Sequence, residues 1–231
     1  MAIIKNQGAQ YAEEDGFMVP IQTERLVVRD FEEADWQAVH SYASDLEVVR
    51  YVDWGPNTEE ETKNFIKRAV TYQKEQPRRH YDLATVLKAE DQIIGGSGFH
   101  VSDPDNREGW IGYVLNRHFW GKGYATETAK ALLDFGFRQH KLHRIFATCY
   151  PANTASAHVL EKVGMKREGH LREHKWAKGG WRSSYLYAIL DYEWKKLKSR
   201  KQIGYATSLI LLLMLYEPRR IHKRAALDNA C

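Results

Sequence analysis

The sequence predicts an α/β fold in which one mixed β-sheet carries helices on both faces. Three apolar runs separated only by turns indicate an antiparallel meander. A strand, a long amphipathic helix and another strand follow, which is the order of a crossover unit between parallel strands. A chain of 231 residues with 43% hydrophobic composition can bury one substantial core, so both units are expected in a single sheet.

The first elements predicted are a strand and two helices. Residues 23–31, TERLVVRDF, alternate as a strand does, and residues 32–45 place apolar side chains at helical spacing. Thr58 is a candidate N-cap with Glu61 three residues later, which is the spacing of a capping box. We therefore expect the second helix to run from Thr58 to about Glu75.

The remaining elements are the meander, the crossover unit and a terminal hairpin. The meander strands are predicted at residues 81–89, 92–101 and 107–115. After them we expect a helix to about Gln139, a strand at 143–150, a helix from Thr154 to Val163 ended by Gly164, and a hairpin with its turn at 178–180. The complete order is β-α-α-β-β-β-α-β-α-β-β.

Charge is distributed unevenly along the chain. The formal net charge is +4, but residues 195–231 contain nine Lys or Arg and two acids, which leaves residues 1–194 slightly acidic. Nothing at the N-terminus resembles a secretory signal, so we expect a cytoplasmic protein. Cys149 and Cys231 are the only cysteines, too few for a disulfide framework or a thiol zinc site.

The basic tail contains the longest apolar run, ATSLILLLMLY at residues 206–216. A membrane-spanning helix needs about 20 such residues, so we expect no membrane span. Three interpretations of the tail stay open: an appended extension irrelevant to the chemistry, a helix that docks on the domain, and a segment that lies on an anionic membrane surface. A docked apolar tail could also create a homodimer contact.

The junction FWGKGYATETAKALLDFGF, residues 119–137, has the features of an anion site. Gly121 and Gly123 let backbone N–H groups approach a phosphate, the following helix offers free N–H groups at its first turn, and Lys122 adds a cation. An ordinary turn between strand and helix is the simpler interpretation. The motif of phosphate-binding loops in nucleotide hydrolases is absent, and Thr126 stands where a dinucleotide fingerprint has its third glycine.

Four segments together resemble the GNAT superfamily of acetyl-CoA-dependent N-acetyltransferases, in its RimJ/RimL-like branch. They are TERLVVRDF, WIGYVLNRHFWGKGYATETAKALLDFGF, NTAS and VLEKVGMKREG, in this order and spacing. The resemblance covers residues 21–194, which we expect to form the acetyltransferase domain between an N-terminal extension, 1–20, and the tail, 195–231. It implies a mixed sheet splayed between its fourth and fifth strands, with acetyl-CoA in the gap and no metal.

The resemblance assigns one set of residues to acetyl-CoA. They are Val114, Leu115, Trp120, Gly121, Lys122, Gly123, Tyr124, Ala125, Thr126, Asn153 and Ser156. Trp120 departs from the Gln or Arg that the family pattern has at its position, but the diphosphate cradle is made of backbone groups. Backbone groups at Val114 and Leu115 are expected to pair with the pantetheine arm and to offer an N–H near the thioester carbonyl. The simpler interpretation of Asn153 and Ser156 is a loop and a first-turn helical residue.

This sequence lacks the residue that usually donates a proton to the departing thiolate. Many members of the superfamily have an acid tyrosine in the helix after the fifth strand, where this sequence has Leu160. Ser156 is the nearest hydroxyl candidate, and Tyr150 and His158 are weaker ones.

The proton acceptor for the amine is also open. In a related branch a carboxylate precedes IGY, and Trp110 occupies that position here. Glu108 lies two residues earlier on the same strand face, as a base or simply as a solvated residue at a strand start. Roughly one α-amino group in ten is neutral at pH 7, but only about one lysine in a few thousand. A site without a strong base therefore favours α-amino acceptors, which the ribosomal-protein N-terminal acetyltransferases of this branch modify.

The acceptor pocket is expected between the loop before the second helix, the fourth strand and the terminal hairpin. Tyr51, Asp53, Trp54, Trp110 and Trp181 are its candidate side chains, because aromatic walls with an acid suit a cationic amine. Tryptophans are also common in cores, so a structural role stays open.

Other candidate side chains have simpler interpretations. His170 and His174 lie in a predicted strand without the Glu of a zinc-helix motif, so no zinc site is expected. Cys149 is interpreted as a buried structural thiol.

The sequence thus predicts transfer of acetyl from acetyl-CoA to a primary amine by direct attack in a ternary complex. A protein or peptide N-terminus is the expected acceptor, and no nucleic acid partner is expected. A polyamine, amino acid or antibiotic amine is the alternative acceptor. A module that senses CoA or mediates interactions without turnover is the alternative of another class.

Overall fold

The computed structural model describes residues 19–199, which contain eight strands, four α-helices and a further helical segment at 191–199. The strands are β1 (Ile21–Gln22), β2 (Leu26–Asp30), β3 (His80–Leu87), β4 (Gln92–Asp103), β5 (Glu108–Leu115), β6 (Arg144–Cys149), β7 (Lys166–Ala177) and β8 (Gly180–Leu190). The helices are α1 (Trp36–Ala43), α2 (Glu59–Tyr72), α3 (Tyr124–Arg138) and α4 (Thr154–Lys162). Short 3₁₀ turns cover Glu33–Asp35, Val48–Tyr51 and Arg117–Phe119.

All eight strands form one mixed sheet, in the order β1-β2-β3-β4-β5-β6-β8-β7. Strands β1 to β5 pair antiparallel, β5 and β6 pair parallel across α3, and β6, β8 and β7 pair antiparallel. The predicted meander and the predicted crossover unit are both present, and the mixed-sheet fold class is confirmed.

Helices cover both faces of the sheet. On one face, Tyr42 of α1 and Ile66 of α2 pack in a core cluster with Ala84 and Val86 of β3. On the opposite face, α3 lies so close to the sheet that a side chain at Gly136 would come within 2.6 Å of Phe99. Successive side chains of a strand point to opposite faces, so the strands in the middle of the sheet are apolar on both.

Local sequence signals set several element ends. Thr58 caps α2 through its side chain, which accepts from the Glu61 N–H at 3.2 Å, while the Thr58 N–H donates to the Glu61 carboxylate at 2.7 Å. Gly164 follows α4 with a φ of 93°, the left-handed conformation that ends a helix. The prediction omitted β1, because a strand of two residues shows no periodic pattern.

The chain divides into two compact units, and the sheet with α1 to α4 lies in the first, which ends at Asp191. Residues 192–199, the described part of the second unit, are helical. Most of the predicted N-terminal extension and of the basic tail lies outside the described residues. Among residues 19–199, no helix has the length and apolar character required to cross a bilayer.

Candidate active site

The sheet splits between β5 and β6. The parallel register joins only three residue pairs, the last being Trp110 opposite Phe146. Beyond this point β6 continues to pair with β8 up to Cys149, whereas residues 111–115 of β5 have left β6. The last five residues of β5 therefore face a gap with unpaired backbone groups, as expected for a splayed sheet.

A cleft of about 440 Å³ opens at this gap. Among its lining residues are Val114, Leu115, Trp120, Gly121, Gly123, Tyr124, Ala125, Thr126, Asn153 and Ser156. Ten of the residues assigned to the cofactor from sequence thus meet in one place. Lys122 is the exception, because its ammonium lies 5.3 Å from the centre of the Phe119 ring and the residue is not among those lining the cleft.

The start of α3 fits a diphosphate. Gly121 and Gly123 have φ values of 73° and 83°, where side chains other than glycine are strained. Gly123 is the N-cap of α3 and provides no side-chain cap, so the first-turn N–H groups of the helix stay available for an anion. Tyr124 and Ala125 pack against a buried cluster at the end of β5, which fixes the direction of these N–H groups.

Arg25 fastens this loop to the start of β2. Its Nε donates to Glu127 at 2.7 Å, its Nη1 donates to the Lys122 carbonyl at 3.0 Å, and its guanidinium lies 4.5 Å from the centre of the Tyr124 ring. Thr23 also donates to Glu127, at 2.6 Å. Burial alone raises the pKa of Glu127, but the hydrogen bonds from Thr23 and Arg25 outweigh it and hold the pKa below its usual value.

Trp120 stands where the family pattern has Gln or Arg, and its side chain makes a contact within the protein. Its indole N–H donates to the Leu115 carbonyl at 2.7 Å, so the carbonyl of Leu115 points away from β4. The Asn116 N–H donates to the Ile94 carbonyl, on the side of β4. Because backbone groups alternate sides along a strand, Tyr113 and Leu115 direct their groups into the gap.

The backbone assignment of the sequence therefore needs a correction at one residue. The same alternation turns the N–H and C=O of Val114 towards Gly96, its partner on β4. Val114 lines the cleft, but the gap-facing backbone groups next to Leu115 belong to Tyr113.

Asn153, Ser156 and Tyr113 meet where the cleft ends. The Asn153 side chain caps α4 by accepting from the Ser156 N–H at 3.1 Å. The Ser156 hydroxyl lies 3.1 Å from the Tyr113 hydroxyl, and burial raises the pKa of Tyr113 above its usual 10. Tyr113 therefore stays protonated at neutral pH. It lines this cleft and two neighbouring cavities of about 200 and 580 Å³, and the sequence prediction missed it.

Glu108 is not placed to act as the base. It lies at the joined end of β5, opposite Arg144, and its carboxylate accepts from Arg144 Nε at 3.0 Å. Among the described residues that line the three cavities, Glu108 does not occur. The ion pair with Arg144 depends on strand register, which the sequence pattern did not reveal.

A second cavity, of about 200 Å³, continues the cleft towards the terminal hairpin. It shares Tyr51 and Ser156 with the cleft and also contains Asp53 and Cys149. Asp53 is already paired, since Lys175 Nζ lies 3.0 Å from its carboxylate. Burial raises the pKa of Cys149 to about 11, so this thiol is not ionised at neutral pH.

A third cavity, of about 580 Å³, lies on the face of the sheet that carries α1 and α2. Trp54 and Trp110 line it, so the predicted acceptor residues are divided between two neighbouring cavities. Trp181 lines neither: it is 60% exposed near the β7–β8 turn and packs edge-to-face on Trp176. Its side chain therefore lies outside both cavities, and its assignment to the acceptor pocket stays a prediction.

The histidines singled out in the sequence have structural contacts. His174 Nε2 lies 2.9 Å from the Ser184 hydroxyl, and His170 packs edge-to-face on Tyr185. Within residues 19–199, no group of three or more His, Cys, Asp or Glu side chains is placed to hold a metal ion.

Comparisons with known proteins find similar sequences and a similar fold. Residues 25–166 match the family described as acetyltransferase (GNAT) domain. YnaD, an uncharacterized N-acetyltransferase of Bacillus subtilis, is 40% identical over 174 residues, which are 75% of this chain and 98% of YnaD. The crystal structure of a GNAT-family acetyltransferase from Bacillus anthracis is 40% identical, with a TM-score of 0.66 over 74% of this chain and 98% of that one. The [ribosomal protein uS5]-alanine N-acetyltransferase of Escherichia coli is 26% identical over 76% of this chain and 93% of its own length.

Proposed function

Because the chain belongs to the acetyltransferase (GNAT) domain family, we propose that it transfers the acetyl group of acetyl-CoA to the α-amino group of a protein or peptide N-terminus. The use of acetyl-CoA as the donor is supported mainly by the gap between β5 and β6, which ends at the start of α3, where no side chain caps the helix. The acceptor half rests on the distant relative that acts on a ribosomal protein and on the lack of a base at Glu108.

The donor is held by backbone groups. N–H groups from Gly121 to Ala125 bind the diphosphate, and gap-facing groups of Tyr113 and Leu115 pair with the pantetheine arm. The carbonyl of Leu115 already accepts from Trp120, which leaves its N–H as the donor for the thioester oxygen. A fixed backbone donor at this point stabilises the negative charge that develops on that oxygen.

Ser156 is the proton donor for the departing thiolate in this proposal. Its hydroxyl lies in the cleft, 3.1 Å from the Tyr113 hydroxyl, and either of the two hydroxyl groups can donate to the other. Leu160, at the position where many relatives have a tyrosine, is buried and has no proton to give.

The absence of a strong base at Glu108 favours an α-amine over a lysine side chain. About one α-amino group in ten is already neutral at pH 7 and can attack directly. The alternative acceptor is a small amine, such as a polyamine or an aminoglycoside. The alternative of another class is a CoA-binding module without turnover.

An acceptor panel tests the proposal. The full chain is incubated with acetyl-CoA and with peptides, polyamines or aminoglycosides, and thiol release and product mass are measured. We expect turnover with free N-terminal peptides and none with N-terminally blocked ones. Residues 21–194 are proposed to contain the whole catalytic domain, so a chain without residues 198–231 should have the same kcat/KM. Stabilisation by acetyl-CoA without acetylation of any amine would overturn the enzyme proposal.

A further inference from the structure

The third cavity is a groove over the face of the sheet, and glycines form the part of the sheet that lies beneath it. Gly98 of β4 lies opposite Gly112 of β5, and Gly96 lies two residues further along β4. A side chain at Gly98 would come within 3.2 Å of His100 Nε2, and one at Gly112 within 3.5 Å of the Trp110 ring. Side chains at these positions would fill the groove, so the glycines keep it open.

The carboxylate of Asp82 lies at one end of this row of glycines. Asp82 of β3 pairs with Gly98, and Gly98 pairs with Gly112, so the three residues form one row across the sheet. The Asp82 side chain is 18% exposed, lines the groove and lies 3.3 Å from His100 Nε2, without a hydrogen bond between them. His100 stacks on Trp110 with ring centres 4.1 Å apart and 8° between the ring planes. This stack fixes the position of the imidazole beside the carboxylate.

The groove combines the chemical groups that recognise a cation. Trp54, Trp110 and Phe65 line the same groove as Asp82, and a desolvated cation gains from both a carboxylate and an aromatic ring. Two other charged side chains line the groove. Glu61 is engaged in the cap of α2, and the Arg68 guanidinium lies 5.6 Å from the centre of the Phe65 ring.

The row across the three strands also gives the distance from Asp82 to the gap. Neighbouring strands lie about 4.8 Å apart, so Asp82 is about 10 Å from Gly112. Gly112 precedes Tyr113, which lines both the groove and the cofactor cleft. A group held at Asp82 is therefore at least about 10 Å from an amine at the gap, which is the length of about three residues of extended peptide.

We propose that Asp82 binds a second cationic group of the acceptor, so that the substrates are N-terminal segments with Arg or Lys at the third or fourth residue. The inference rests on the proposed function and narrows its substrate class. Asp82 contacts the substrate in this scheme, and His100 lies beside its carboxylate.

Matched peptides test it with the full chain. Peptides with a free N-terminal alanine carry either arginine or uncharged citrulline at position 3 or 4. We expect the arginine peptides to have about a 10- to 100-fold higher kcat/KM, mostly through KM, because a charge-assisted hydrogen bond is lost with citrulline. Asp82→Asn should remove the preference, and Asp105→Asn, at an exposed turn carboxylate, should keep it. Stabilisation by acetyl-CoA shows that each variant is folded.

A second pair of acceptors separates this inference from the proposed function. Spermidine and a monoamine of similar length are assayed in parallel. Acetylation of spermidine but not of the peptides, with the activity lost in Asp82→Asn, would support the Asp82 site and contradict the peptide acceptor. Equal kcat/KM for arginine and citrulline peptides, or a preference that survives Asp82→Asn, would overturn the Asp82 site while the peptide acceptor stands. Acetylation of no amine would contradict both.

Discussion

The hydroxyl groups of Tyr113 and Ser156 meet across the gap between β5 and α4. Their oxygens are 3.1 Å apart, and the Tyr113 hydroxyl also donates to the Ser156 carbonyl at 3.3 Å. Because burial raises the pKa of Tyr113, the phenol remains a hydrogen-bond donor over the working pH range. The tyrosine therefore holds the serine hydroxyl in place through a hydrogen bond in which either oxygen can be the donor.

This pair gives a prediction at the scale of single residues. Ser156→Ala removes the proposed proton donor and should lower kcat about 100-fold, the usual contribution of a general acid. Tyr113→Phe keeps the serine and removes only its orientation, so we expect about a tenfold loss in kcat and little change in KM for acetyl-CoA.

Steady-state kinetics measure both values. Tyr187→Phe is the matched control, because the Tyr187 hydroxyl donates to Glu161 at 3.2 Å and lies outside the three cavities. It should lose about as much thermal stability as Tyr113→Phe and keep full activity. A Tyr113→Phe enzyme with normal kcat would exclude the orienting role.

At the scale of elements, the start of α3 contributes most to the proposed binding of acetyl-CoA. Its geometry follows from short-range causes: two glycines with positive φ, an N-cap without a side chain, and an apolar stripe that packs Tyr124 and Ala125 at the end of β5. These causes act within a few residues, which is why the sequence could predict the glycine junction and the helix that follows it. Helix α4 adds Asn153 and Ser156 from the other side of the gap.

Gly123→Ala tests this element. The side chain would meet only Arg25 at 3.4 Å, an ordinary contact, but a φ of 83° costs a non-glycine residue about 1–2 kcal/mol. The loop should shift to relieve this strain, so we expect at least a tenfold weaker affinity for acetyl-CoA and a Tm lower by a few degrees. Calorimetric titration measures the affinity. Gly169→Ala, at a strand glycine with nothing within 4 Å, should leave it unchanged; equal affinities for both variants would contradict the cradle.

At the scale of the whole molecule, the contact between Arg25 and Glu127 joins segments 102 residues apart. It fastens the edge of the sheet to the first turn of α3, next to the loop that binds the diphosphate. The Glu127 side chain is 16% exposed and that of Arg25 is 42% exposed, so solvent weakens the ion pair.

The stability given by Glu127 should depend on pH. The pKa of Glu127 is lowered from its ordinary value of 4.5 in the native state, so the stabilisation is complete above pH 4.5 and is lost as the pH falls through the native pKa. Glu127→Gln should therefore cost about 1 kcal/mol at pH 7, with the difference from the unaltered chain shrinking below pH 4.5.

Chemical denaturation at several pH values measures this difference. Glu90→Gln, at an exposed turn residue, is the control and should match the unaltered chain at every pH. A difference for Glu127→Gln that stays constant from pH 7 to pH 3 would show that its carboxylate is not stabilised by these hydrogen bonds.

By itself the sequence determined the order of the elements, the cap at Thr58, the glycine junction before α3 and the family resemblance. These features depend on periodicity, capping and φ preferences, which act over a few residues. Only the tertiary structure decided that Glu108 pairs with Arg144, that Trp181 is exposed near the β7–β8 turn, and that Tyr113 meets Ser156. Such neighbours depend on strand register and on where the sheet splays, and a change of one residue in register moves every side chain of a strand to the other face.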